Sequence, residues 1–209
     1  MKPFFYKRSW VFLFVVCCSW FAPFIHAEEE NYPIGEEAAS KEQVYAHNIK
    51  LPEFVLNGVT IKQELNREPH EDFKNPGARK CRPFCIQPEN IEGATTIKLE
   101  DFPKMAADIN AGKILIVDMR TPDWFTKETI PGAINLPYID LVGNPNKAKA
   151  KIKKLEDKPI ISFCNGWWCG QSPTGIKALQ QLNYPGKIYW FRGGNQDWSD
   201  AGLPFVKPN

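Results

Sequence analysis

Apolar positions fall into three textures along the chain: one dense run at the start, sparse scatter through residues 28–94, and a regular alternation from about Thr95 onward. In the last stretch, KILIVDM (Lys113 to Met119), PIISFC (Pro159 to Cys164) and KIYWF (Lys187 to Phe191) have the continuous apolar character of buried strands, and AINLP (Ala133 to Pro137) reads as a shorter one. Between them lie amphipathic stretches. One helix is predicted near Lys147 to Leu155, where the lysines up to Lys154 form a solvated face. Another starts at Ser172 as N-cap, with Pro173 in its first turn and Ile176, Leu179 and Leu182 recurring on one side. Strands separated by helical stretches predict an α/β domain over 95–209 with a mainly parallel central sheet and flanking helices. No repeat of solenoid length interrupts this pattern.

Residues 28–94 read differently. A helical patch spans Glu36 to Tyr45, and in PEFVLNGVTIKQ the Asn57-Gly58 pair between two apolar runs predicts a β-hairpin. Residues 63–80, rich in charge, Asn and Pro, are expected to be an exposed connection. The region is thus a small N-terminal arm or accessory region with a hairpin, of a fold the sequence does not name.

The opening run has the layout of a secretory signal peptide over residues 1–27. Lys2, Lys7 and Arg8 precede an apolar run from Trp10 to Ile25, broken by Ser19 and Pro23, and Ala27 offers a cleavage point before Glu28-Glu29-Glu30. So short a run, with a Pro inside it, favours cleavage over a retained anchor. Val16 and Cys17 stand where lipid attachment at Cys17 or Cys18 would want a small residue. Cleavage removes three basic residues and no acidic ones, so the formal charge of +2 becomes 23 basic against 24 acidic residues, or −1. A near-neutral mature chain offers no stripe for nucleic acid or an anionic membrane surface. The expectation is an exported protein, periplasmic or secreted, with no stable membrane insertion after cleavage.

Export changes the meaning of the cysteines. Cys81, Cys85, Cys164 and Cys169 remain in the mature chain, in two close pairs and in an oxidising compartment where thiols pair or are kept reduced for chemistry. The tract IISFC-NGWWCGQ-SPTGIKAL puts Cys164 at the end of a buried strand, before a loop that closes on a helix start. Loop amides and the positive helix end favour an anion there, which suits a nucleophilic thiolate. A buried, inert cysteine at a strand end is the alternative on these residues alone.

Three separated motifs resemble the rhodanese family. VDMRTPDWFTKETIPGAINLP at 117–137 is similar to its first signature, with Asp118, Arg120 and the Ile130-Pro131-Gly132-Ala133 turn. FRGGNQDWSDAGLPFV at 191–206 is similar to its closing signature, and Cys164 falls where the family keeps its nucleophile. The resemblance covers about 95–209. It implies a three-layer rhodanese-like fold and a sulfurtransferase whose Cys164 accepts a sulfane sulfur as a persulfide and hands it to a nucleophilic acceptor. It places Asp118 and Arg120 beside the loop, as an ion pair fixing the strand end. Gly193 and Gly194 become the turn from last strand to last helix, passing close to the active loop.

The loop departs from the family. Asn165, Gly166, Trp167, Trp168, Cys169, Gly170 and Gln171 separate Cys164 from Ser172, about two residues more than usual, and none is Lys or Arg. An anionic donor such as thiosulfate would rely on backbone amides. The two tryptophans line the pocket, pack on the N-terminal arm, or simply fill the loop. Cys169, five positions after a reactive thiol, could resolve a sulfenic acid or persulfide into a disulfide. Cys81 and Cys85 are read first as a structural disulfide, then as a redox couple exchanging with Cys164 and Cys169. A four-thiol metal site is disfavoured by the spacings, and His47 and His70 have no clustered partners. No metal or cofactor is expected. The partners implied are a small sulfur-donor substrate or thiol acceptor, with a redox protein under the second reading. Beside sulfur transfer stand two alternatives: a thiol-disulfide redox protein using Cys164 and Cys169, and a catalytically silent rhodanese fold that binds through its Trp-rich loop.

Overall fold

A computed structural model describes residues 34–64, 66–81 and 84–208. The expected signal peptide over 1–27 lies outside the described residues. Helix α1 (Glu36–Asn48) is followed by strands β1 (Phe54–Leu56) and β2 (Val59–Ile61), an antiparallel hairpin in which Phe54 faces Ile61. Asn57 and Gly58 both take positive φ, 46° and 80°, as a two-residue turn of matching twist requires. Leu56 and Ile61 are buried, each contributing about 1.5–3 kcal/mol of transfer free energy. Asn110 fixes the hairpin through its side chain, accepting from Asn57 N and donating to Val55 O.

The α/β part comprises β3 (Thr95–Ile97), α2 (Phe102–Asn110), β4 (Leu115–Asp118), α3 (Pro122–Phe125), β5 (Ala133–Asn135), α4 (Tyr138–Val142), α5 (Pro145–Ile152), β6 (Ile160–Phe163), α6 (Gln171–Gln181), β7 (Ile188–Phe191) and α7 (Gly194–Asp200). The five strands form one parallel sheet in the order β3-β7-β6-β4-β5. Alternate side chains serve opposite faces. Ile116, Ile161, Phe163 and Phe191 pack with Phe102, Trp198, Leu56 and Ile61 on one side. Val117, Ile160 and Trp190 pack with Ile152, Ile176 and Leu179 on the other. Both faces are covered, which is why these strands read as continuous apolar runs.

Two expectations are corrected. Ser172 is not the N-cap of its helix: Gly170 takes that position, and Ser172 lies in the first turn with its hydroxyl turned to Cys164 and Trp190. A second acceptor and donor inside the core outbid the capping bond. Residues 63–80 are not simply an exposed connection. Phe73 is buried, and Gln196 Nε2 donates to its carbonyl at 2.9 Å. The polar composition masked a single aromatic anchor that holds the segment down.

Candidate active site

Strand β6 is central, so its C-terminal end opens where ligands meet open α/β sheets. Asp118 of β4 stands opposite Phe163, which puts Asp118 and Cys164 at neighbouring strand ends. Cys164 is 1% exposed. Its carbonyl accepts from Asn195 N at 3.1 Å, and that of Asn165 accepts from Gln196 N at 2.8 Å. Both donors belong to the first turn of α7, so the Gly193-Gly194 turn is what lets the helix close on the loop. A Cβ on Gly194 would lie 2.2 Å from Cys164 O, at φ +54°. That position tolerates only glycine.

Within the loop, Cys169 N donates to Gly166 O at 2.9 Å, a tight turn that brings Cys169 back over Cys164. The Cys164 thiol lies 3.1 Å from Cys169 O and accepts from Ser172 Oγ at 3.1 Å. Burial works against a thiolate at Cys164. Hydrogen bonds from the Cys169 and Ser172 side chains and from the amides of Ser172 and Gly166 outweigh it, and the thiol is held below its ordinary value. Cys169 goes the other way: burial, and then its bond to Cys164 and the charge there, push it well up. The arrangement drives the two thiols apart, Cys164 downward and Cys169 upward. Both cysteines are free.

Asp118 and Arg120 form a buried fork, with Nη2 2.7 Å from Oδ2 and Nε 3.0 Å from Oδ1. Thr129 Oγ1 donates to the carboxylate at 2.8 Å, and Arg120 Nη1 donates to Asn165 Oδ1 at 3.2 Å. The pair therefore reaches the loop through Asn165 and holds the residue after Cys164 in place.

Trp167 and Trp168 are buried, and the partner is the arm. Trp168 Nε1 donates to Gln196 Oε1 at 3.0 Å, Phe84 meets the Trp168 ring edge-on at 5.2 Å, and the Arg79 guanidinium lies 3.9 Å above it. Gln87 N donates to Trp167 O at 2.7 Å, and Phe84 pairs with Cys169 in a single antiparallel bridge. The arm thus lays the Arg79 guanidinium against Trp168, and burial holds it below its ordinary value. Cys81 and Cys85, in the same covering segment, have sulfurs 2.06 Å apart. Beside Phe84, a cavity of about 370 Å³ is lined by Trp124, Tyr138, Cys169, Gln171 and Thr174. Sequence reasoning missed Arg79, Phe84, Gln87 and Gln196. The Cys81/Cys85 spacing flagged the neighbourhood of the first three, and the closing motif at 191–206 that of Gln196. Among the described residues no group of His, Cys, Asp and Glu could hold a metal ion, and no helix is long and apolar enough to cross a membrane.

Residues 101–201 match the sequence model of the Rhodanese-like domain. The chain thus carries a rhodanese-like domain, and its relatives include sulfurtransferases. It is 28% identical over 96 residues to a sulfurtransferase of Allochromatium vinosum, covering 46% of this chain and 80% of that protein. It is 26% identical over 119 residues to the thiosulfate:glutathione sulfurtransferase of Homo sapiens, covering 52% and 96%. A further relative, an HTH-type transcriptional regulator of Mycobacterium tuberculosis, is 28% identical over 94 residues, 45% of this chain and 38% of the regulator. Among solved structures, a thiosulfate sulfurtransferase of Pseudomonas aeruginosa is similar with a TM-score of 0.44 and 21% identity, over 56% of this chain and 21% of that one.

Proposed function

We propose that this chain is an exported sulfur carrier or sulfurtransferase that holds sulfane sulfur as a persulfide on Cys164. The Cys164 thiolate attacks the outer sulfur of the donor, the donor leaves with the bonding electron pair, and Cys164-S-SH remains for transfer to a thiol acceptor. The observation that carries this reading is the hydrogen-bonded setting of Cys164, whose thiol is held below its ordinary value in spite of full burial. The sulfurtransferase relatives support the same chemistry. With no Lys or Arg between Cys164 and Ser172, neutral or extended polysulfide donors fit better than thiosulfate. The test is turnover with polysulfide or thiosulfate as donor and a small thiol as acceptor. Loss of activity in Cys164→Ser, with the fold retained, is expected; equal rates in variant and parent protein would end the proposal.

A further inference from the structure

The 370 Å³ cavity beside Phe84 reaches Cys169, and Cys164 is not among the residues that line it. The nucleophile is walled in by Trp167, Trp168 and the covering arm, while the second thiol forms part of an open, aromatic-sided pocket with Phe84, Trp124 and Tyr138. The Cys164 thiol donates to the Cys169 carbonyl at 3.1 Å, and the turn from Gly166 to Cys169 holds the two cysteines together. Loop packing alone needs no second thiol at that point.

We propose that Cys169 is a resolving thiol, so that the loaded site discharges internally, releasing hydrosulfide and leaving a Cys164–Cys169 disulfide which a dithiol reductant reopens through the Phe84–Trp124–Tyr138 pocket. This rests on the reading of Cys164 as the sulfur-accepting nucleophile. In the step, Cys169 sulfur bonds to Cys164 Sγ and the Cys164 persulfide S–S bond breaks. The Cys169 proton passes to the outer sulfur, which leaves as HS⁻ with the bonding pair. The sulfane sulfur gains two electrons and the two cysteine sulfurs lose one each, so Cys164-S-S⁻ plus Cys169-SH gives the disulfide plus HS⁻. A dithiol then restores both thiols and becomes a disulfide itself.

Order is built into the pair. Cys164 ionises first and takes the sulfur. Cys169 keeps its proton, stays out of that step, and has the proton that the departing sulfur needs. The pocket explains the return half-cycle: a dithiol entering beside Phe84 meets Cys169 before Cys164, so the mixed disulfide forms on Cys169.

The experiment is a single turnover on the reduced mature protein. It is loaded with a polysulfide, desalted at once and followed without added thiol, by hydrosulfide trapping and by mass analysis with peptide mapping. Parent protein is expected to release one hydrosulfide per loaded chain and to lose two hydrogens as a Cys164–Cys169 crosslink forms. Cys169→Ser is expected to retain the extra sulfur on Cys164 and release hydrosulfide at least tenfold more slowly; Cys169→Ala repeats the comparison if the Ser variant folds poorly. A persulfide that persists equally in parent and variants, without the crosslink, overturns the inference but leaves sulfur loading standing. If neither parent nor variants take up sulfur, the loading reading fails and the resolving step goes with it.

Discussion

Replacing Ser172 with Ala isolates the cause of the unusual Cys164 thiol. The hydroxyl donates to Cys164 Sγ at 3.1 Å and accepts from Trp190 Nε1 at 3.1 Å, all inside a buried site that excludes water as a substitute. A hydrogen bond to a charged group is worth about 1.5–3 kcal/mol, and one pKa unit corresponds to about 1.4 kcal/mol. The Cys169 side chain and two amides still serve the thiolate in the variant, so the low end applies, about 1.5 kcal/mol, and Ser172→Ala moves the Cys164 pKa up. Where the thiol is mostly protonated, that energy lowers the thiolate fraction about tenfold. The assay is the rate of iodoacetamide labelling against pH, resolved by peptide mapping so that Cys164 and Cys169 are read separately. The inflection for Cys164 lies below that of an ordinary thiol in the parent protein and moves up in the variant. Ser172→Ala also strands the Trp190 N–H, so Trp190→Phe serves as the control that changes packing and leaves the thiol bond in place. An inflection unmoved in Ser172→Ala, or moved as far in Trp190→Phe, would refute the reasoning.

Three further outcomes follow from the geometry. Arg120→Met leaves the Asp118 carboxylate buried without its partner and is expected to cost about 3–5 kcal/mol in chemical denaturation, against under 1 kcal/mol were the pair incidental. Gly194→Ala drives a Cβ into Cys164 O and is expected to cut sulfur loading more than tenfold; normal loading would mean that α7 can retreat from the loop. Joint replacement of Cys81 and Cys85 by Ala removes a clamp that closes a short loop, worth about 2 kcal/mol in the chain-entropy account. Because this segment covers Trp168, Cys164 alkylation should quicken in the double variant, and an unchanged rate would show that the arm does not limit access.

The sheet was legible because both of its faces are covered: runs such as Ile160-Ile161-Ser162-Phe163 have no solvent side to betray a helix or an exposed strand. Asn57-Gly58 was legible because few other residue pairs take two positive φ values in succession. Cys164 and its loop stood out by position, at a strand end before a helix. The arm was opaque for a physical reason. It holds the loop through single anchors, Phe73, Arg79, Phe84 and the backbone of Gln87, which recur with no period and stand among charged and proline residues. Ser172 misled because a serine before a helix is ordinarily a cap. Only three-dimensional proximity to Cys164 and Trp190 reveals its other use.

The central claim is that Cys164 is the atom that accepts sulfur. It is tested most directly by incubating the reduced protein and its Cys169→Ser variant with a sulfur-35-labelled polysulfide and counting label in the separated cysteine peptides. The account predicts label confined to the Cys164 peptide, retained in the variant, and released by a reducing thiol. Label on Cys169 or on the Cys81–Cys85 segment, with Cys164 unlabelled, would contradict it.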